Sequence, residues 1–234
     1  MSKPDPRRPK SDRDVLDDLG NLIGESVKKG RAKLEKLIEE SRKHKKGGHD
    51  DDDFLGYLRA FLDDRNIAAV TPSSKFLVDR VIRAMNLPNA GVIVEYGAAQ
   101  GVMTRRILEK MRPDAKLIAI EFNRRLFDEL IERVRDPRMI AEHGDVREVD
   151  QILARHGIHK ADTIISGVPF AVFSGRGRHE LLHKTSELLN PGGRFVPYQV
   201  TTHLIPMLKD YFSDVDIQFE VRNMPPHFVF TALK

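Results

Sequence analysis

The 234-residue chain contains no cysteine and no tryptophan. Without cysteine there is no disulfide scaffold, no thiolate metal site and no cysteine nucleophile. No apolar run approaches the roughly 18 to 20 residues that span a bilayer. The opening MSKPDPRRPKSDRD also lacks the apolar stretch of a signal peptide, which predicts a cytoplasmic location. Aromatics are sparse at 7%, most of them Phe. What the chain does have is 40% apolar and 32% charged residues, enough for a sizeable core, which excludes disorder along the full length. The length fits one α/β domain with an appendage better than two full domains.

Charge is unevenly placed. Residues 1–49 carry 14 Lys/Arg against 9 Asp/Glu, Asp50 to Asp53 follow as an acidic run, and residues 54–234 hold 25 basic and 22 acidic groups. Residues 1–53 are therefore read as a basic leader with an acidic linker, and 54–234 as the main domain. Pro4, Pro6 and Pro9 keep the first dozen residues from starting a helix. From Asp14 onward, Val15, Leu16, Leu19, Leu22 and Ile23, then Val27, Leu34, Leu37 and Ile38, recur at helical spacing. Lys28, Lys29, Arg31, Lys33 and Lys36 fill much of the polar side. Such an amphipathic segment can pack on its own domain or a partner, lie in lipid headgroups, or serve as a basic arm for nucleic acid. For His49 to Asp53 a solvated linker is expected rather than a metal site, because adjacent carboxylates in a loop rarely converge.

Residues 54–64 predict a short helix with Phe54, Tyr57, Leu58 and Phe61 on one side. Thr71-Pro72-Ser73-Ser74 is a helix-start signal, and the helix runs through Met85. Strands and helices then alternate. Strands are expected at Val92–Tyr96, Lys116–Phe122, Met139–His143, Asp162–Ser166 and Arg194–Gln199. Helices are expected over 102–111, 123–135, 149–156, 178–189 and 203–211, and two further strands at Asp216–Arg222 and His227–Ala232 close the chain. This order predicts an α/β domain, a seven-stranded, mostly parallel sheet with helices on both faces.

Ligands in such sheets bind where the carboxyl ends of the strands meet the loops. The first end reads Glu95-Tyr96-Gly97-Ala98-Ala99-Gln100-Gly101, an acid followed by small residues that let backbone approach a ligand. The second reads Glu121-Phe122-Asn123, with Glu121 near the spacing at which an acid binds ribose hydroxyls. The third reads Gly144-Asp145-Val146 and the fourth Ser166-Gly167-Val168-Pro169-Phe170. Glycine or acid at four consecutive strand tips points to a site rather than to ordinary turns.

These segments resemble the Rossmann-like class I S-adenosylmethionine-dependent methyltransferases. Among them the likeness is strongest to the bacterial phospholipid (phosphatidylethanolamine) N-methyltransferases, which are related to the rRNA adenine dimethyltransferases. It covers residue 54 to the C-terminus and is most specific at Ala69–Phe76, Val94–Gly101, Ile118–Asn123, Gly144–Asp145, Ser166–Phe170, Leu189–Phe195 and Asn223–Pro226. The rRNA enzymes typically carry Asn before the Pro-aromatic segment, where Ser166 and Gly167 stand here. The resemblance implies S-adenosyl-L-methionine as cofactor, bound by Glu95, Tyr96, Gly97, Ala98, Ala99, Gly101, Glu121, Phe122, Asn123, Gly144, Asp145, Val146 and Ser166. Within that set Glu95, Gly97 and Gly101 frame the methionine end, Glu121 the ribose and Asp145 the adenine amine. Ser166, Gly167, Pro169 and Phe170 line the methyl-transfer centre. The chain departs from the family at Ala99, where a second glycine is usual, and at Gln100, where a small polar residue is.

The activity implied is methyl transfer to the headgroup amine of phosphatidylethanolamine or its partly methylated derivatives. Its partner is the inner face of the cytoplasmic membrane, reached peripherally through the leader. An rRNA adenine N6-methyltransferase and a non-catalytic membrane-binding protein are the competing readings. Near-balanced charge over 54–234 argues against nucleic acid as a partner. The motif specifies no base; Tyr57, Glu95 and a headgroup phosphate stand equal. Phe170 or Tyr198 could face the methylated cation, with core packing the competing role for both and the expected one for Tyr198. His179-Glu180-Leu181-Leu182-His183 matches the zinc-protease pattern HExxH, but no third ligand follows and Ser186 occupies the metzincin glycine position, so no metal is expected. No pattern specifies an oligomeric state.

Overall fold

The computed structural model describes residues 73–223 and 226–234. The expectations for the leader, for the 54–64 helix with Tyr57, and for Thr71, Pro72 and Pro225 lie outside the described residues.

Helix α1, Lys75–Ala84, starts where Ser74 Oγ accepts the Leu77 N–H at 3.3 Å, and turns Leu77, Val78, Val81 and Ala84 inward. Then follow β1 (Val92–Tyr96), α2 (Val102–Lys110), β2 (Lys116–Glu121), α3 (Arg124–Arg133), β3 (Met139–His143), α4 (Val149–Arg155), β4 (Ala161–Ser166), α5 (Gly175–Leu188), β5 (Leu189–Gln199), α6 (Leu204–Tyr211), β6 (Asp214–Glu220) and β7 (His227–Leu233). Among the described residues the seven strands form one sheet in the order β3-β2-β1-β4-β5-β7-β6. The first five are mutually parallel, and β7 runs antiparallel to both β5 and β6. This is the α/β architecture expected from the alternation.

The apolar runs of β1 and β2 are buried on both faces, as parallel strands between helix layers require. Two boundaries differ from expectation by three residues or more. Helix α5 starts at Gly175 because Ser174 Oγ accepts the Gly177 N–H at 3.0 Å, a cap that lies upstream of the apolar periodicity. Strand β5 starts at Leu189, which already pairs with Ala161 before the ladder shifts register toward Thr163 and Arg194. There Asp162 Oδ1 accepts from Asn190 Nδ2 at 2.7 Å, while its Oδ2 accepts the Gly91 and Val92 N–H groups. One carboxylate therefore ties β1, β4 and β5 together at the edge away from the site.

Candidate active site

Register sets the site. In the sheet Tyr96 lies between Ile120 and Ser166, Glu121 is paired with His143, and Ser166 with Pro197. The carboxyl ends of β1 to β4 thus come level at one edge, and the strand order reverses between the parallel neighbours β1 and β4. All four sequence-predicted segments are brought together there.

The loop after β1 is held by backbone. Gly97 and Ala98 N–H donate to Ile120 O at 2.9 and 3.2 Å, and Gly101 N–H donates to Ala98 O at 2.9 Å. Gly97, Ala99 and Gly101 all have positive φ, of 75°, 47° and 79°. Glycine is required at two of them for space as well. A Cβ on Gly97 would lie 2.9 Å from Val168 Cγ2, and one on Gly101 2.7 Å from Val134 Cγ2. Ala99 accepts the left-handed conformation with its methyl in place. The Gln100 side chain turns to α3, donating to Glu129 at 2.8 Å.

Two buried carboxylates face this loop. Glu95 is 2% exposed and accepts from Thr104 Oγ1 at 2.7 Å. Burial raises its pKa to about 7, against the pull of the Thr104 hydrogen bond and with a further push from Glu121. Glu121, 5% exposed, accepts the Ala99 N–H on Oε2 at 2.8 Å and the Asn123 N–H on Oε1 at 2.7 Å. Its pKa is also raised by burial, although three backbone N–H groups oppose the shift. Beyond these bonds the Glu121 carboxylate keeps an acceptor position, which fits a ribose hydroxyl of the cofactor that the resemblance implies.

At the third tip, Gly144 N–H donates to Glu121 O at 3.1 Å. Asp145 accepts the Arg147 N–H on Oδ1 at 2.8 Å and the Arg147 guanidinium on Oδ2 at 3.0 and 2.7 Å. It caps the following 3₁₀ turn, and Oδ1 is the oxygen with an acceptor position to spare for an adenine amine. Asn123 caps α3 with its side chain, while Val146 and Ala98 are buried. The Tyr96 side chain points away from the site, its hydroxyl on Thr185 Oγ1 at 3.2 Å. Its contribution is backbone, with Tyr96 O accepting the Gly167 N–H at 3.0 Å.

At the fourth tip, Ser166 is fully buried and its Oγ accepts the Val168 N–H at 3.2 Å. The Phe170 ring is 3% exposed and packs edge-on against Phe173 and Phe195. Gln199, which sequence reasoning missed, clamps this segment. It accepts the Phe170 N–H at 3.0 Å and donates to Val168 O at 2.9 Å. Its signal was present, a polar residue at the carboxyl end of the fifth strand. Tyr198 is half-buried against the main core, with its hydroxyl beside Gly167. His179 and His183 lie on α5, where His179 Nδ1 meets the Tyr211 hydroxyl at 2.9 Å, and among the described residues no cluster of ligating side chains is present.

No family model matches the chain. The ornithine lipid N-methyltransferase of Singulisphaera acidiphila is 33% identical over 184 residues, which cover 75% of this chain and 92% of that protein. The ribosomal RNA small subunit methyltransferase A of Parasynechococcus marenigrum is 28% identical over 158 residues, 67% of this chain but 46% of the relative. Among solved structures, the 1,6-didemethyltoxoflavin-N1-methyltransferase of Burkholderia thailandensis matches with a TM-score of 0.61 at 18% identity, covering 81% of this chain and 91% of that one.

Proposed function

The chain belongs to the class I S-adenosylmethionine-dependent methyltransferases, and from that premise we propose that it methylates the headgroup amine of an amino lipid, phosphatidylethanolamine or its partly methylated derivatives, at the membrane surface. The observation that carries this reading over an RNA one lies at residues 166 and 167. Ser166 Oγ is buried and spent on the Val168 N–H, and Gly167 has no side chain. No side-chain amide stands there to hold an adenine amine, where the rRNA enzymes typically carry Asn. The 92% coverage of a lipid N-methyltransferase supports the same reading and favours a second acceptor, ornithine lipid, whose amine is also presented at a membrane surface.

S-adenosylmethionine, when bound, supplies a methyl group already activated by its sulfonium. The protein's work is then to bind and align. Glu95, once ionised, meets the cationic methionine end, Glu121 holds the ribose hydroxyls and Asp145 the adenine amine. The backbone from Ser166 to Pro169, fixed by Gln199, lines the transfer centre and presents carbonyls to the amine. Among the described residues no helix is long and apolar enough to cross a membrane, and the basic leader is assigned the contact with the inner face of the cytoplasmic membrane. Labelled S-adenosylmethionine offered with phosphatidylethanolamine liposomes, ornithine-lipid liposomes and rRNA tests this. Label in a lipid is expected. Label in RNA overturns the reading in favour of the RNA enzyme, and label in none in favour of a non-catalytic membrane protein.

A further inference from the structure

We propose that Tyr198 receives the acceptor amine, its phenolic oxygen taking a hydrogen bond from the amine N–H beside Gly167. This rests on the amino-lipid reading above and names the residue that orients its substrate. Continuing the β4–β5 register one step past Ser166 and Pro197 sets Tyr198 next to Gly167. A Cβ on Gly167 would run into the Tyr198 hydroxyl, and would lie 3.0 Å from its Cζ and 3.6 Å from Gly97 O. The phenol therefore occupies the space that a side chain at 167 would fill, at the point where the tips of β1 and β4 meet.

Three tyrosines are described. The Tyr96 hydroxyl is bonded to Thr185 and that of Tyr211 to His179, while that of Tyr198 has no hydrogen bond among the described residues. A half-buried hydroxyl left over in this way is an available partner. The ring is braced from behind. The His227 ring lies 6.1 Å from it, His227 Nδ1 is 3.1 Å from Asn223 Nδ2, and Asn223 Oδ1 accepts the Ser74 N–H at 2.7 Å. The segments around Ser74 and Asn223, prominent in the sequence but without an assigned role, thereby meet behind the proposed amine site. Burial, and then the Glu95 charge, raise the Tyr198 pKa, so the group stays a neutral phenol and orients the amine rather than deprotonating it.

The headgroup ammonium first loses a proton to solvent; the nitrogen lone pair then forms the N–C bond as the C–S bond breaks, and the sulfur keeps that electron pair. The product remains an ammonium, quaternary and without a proton to lose when the acceptor is the dimethyl amine. A neutral primary or monomethyl amine has an N–H to give Tyr198 while its lone pair faces the methyl group. A neutral dimethyl amine has none. Tyr198→Phe should therefore slow kcat for phosphatidylethanolamine and its monomethyl derivative about ten-fold, the worth of one such bond, and leave the dimethyl derivative within two-fold. Calorimetry on the same variant should show unchanged affinity for S-adenosylhomocysteine. It should also show that the wild type's preference for short-chain phosphatidylethanolamine over phosphatidylcholine, whose headgroup lacks any N–H, is lost. Equal slowing of all three acceptors, or of none, overturns the role of Tyr198. Wild-type turnover of any of these lipids upholds the lipid reading in either case, and absence of turnover with the headgroup preference intact would overturn that reading alone.

Discussion

The backbone N–H of Ala99 donates to Glu121 Oε2 at 2.8 Å, and Ala99 is held there at φ 47°. A carboxylate from the second strand thus fixes the loop after the first, and in the proposed cofactor placement it also holds the ribose. Glu121→Ala removes both functions. Charge-assisted hydrogen bonds of this kind contribute roughly 1.5 to 3 kcal/mol, so calorimetric affinity for S-adenosylhomocysteine should fall about 10- to 150-fold. The melting temperature should change little, because the lost bonds are offset by removal of a buried charge. Unaltered affinity would remove Glu121 from the cofactor site.

Ala99 and Gly101 should respond oppositely to exchange. In Ala99→Gly the relief of a left-handed alanine, about 1 kcal/mol, is balanced by about 0.4 to 1 kcal/mol of added unfolded-state entropy. Denaturant unfolding should therefore find that variant within about 0.5 kcal/mol of the wild type. Gly101→Ala places a methyl 2.7 Å from Val134 Cγ2 and 2.9 Å from Leu130 Cδ1 at φ 79°. Overpacking and strain together should cost about 2 to 4 kcal/mol. A neutral Gly101→Ala would mean that α2 and α3 shift freely at this contact.

The sheet and the four strand tips were legible in the sequence because both rest on local pattern. Buried parallel strands read as apolar runs such as Val92–Tyr96, and positive-φ turns demand glycine at 97 and 101. What stayed hidden depends on register between distant strands. Nothing local to Phe170 tells that its ring turns into the core toward Phe195, or that Gln199 reaches back 29 residues to its N–H. The Asn223 contact with Ser74 closes across 149 residues. Helix α5 and strand β5 were misplaced at their starts because a serine cap and a register shift leave no apolar period.

Glu95 should make the protein sensitive to pH near neutrality. Its folded pKa, about 7, is raised above the ordinary 4.5, so between those values the native state holds a proton that the unfolded chain has lost. The stability this group contributes is complete below pH 4.5 and is lost as pH rises through 7. Glu95→Gln should therefore be more stable relative to wild type at pH 8 than at pH 4.5, by about 2 to 4 kcal/mol. Cofactor binding should have the reverse sense, because in the proposed placement the cationic methionine end meets the ionised form of Glu95. Affinity should rise with pH through 7, and calorimetry in buffers of different ionisation enthalpy should show proton release at pH 6.5. A stability difference that is flat in pH would show that the Glu95 carboxyl titrates at its ordinary value.

The leader supplies the last prediction. On the proposed amino-lipid reading the acceptor amine sits at the bilayer surface, and the enzyme must reach that surface to find it. Leu16, Leu19, Leu22 and Ile23 can enter the acyl boundary while Lys28, Lys29, Arg31, Lys33 and Lys36 meet anionic headgroups. Each basic group near such a surface contributes about 1 kcal/mol, which salt screens, whereas buried leucines add a part that salt does not remove. Deleting residues 1–49 should abolish sedimentation with anionic vesicles and lower activity on liposomes far more than on detergent-dispersed lipid. Cofactor affinity should be unchanged, because the residues at the four strand tips are retained. Raising salt should weaken full-length binding without eliminating it. If the truncated protein sediments as well as the full chain, the anchor lies in the domain itself, and Phe54, Tyr57 and Phe61 become the residues to replace next.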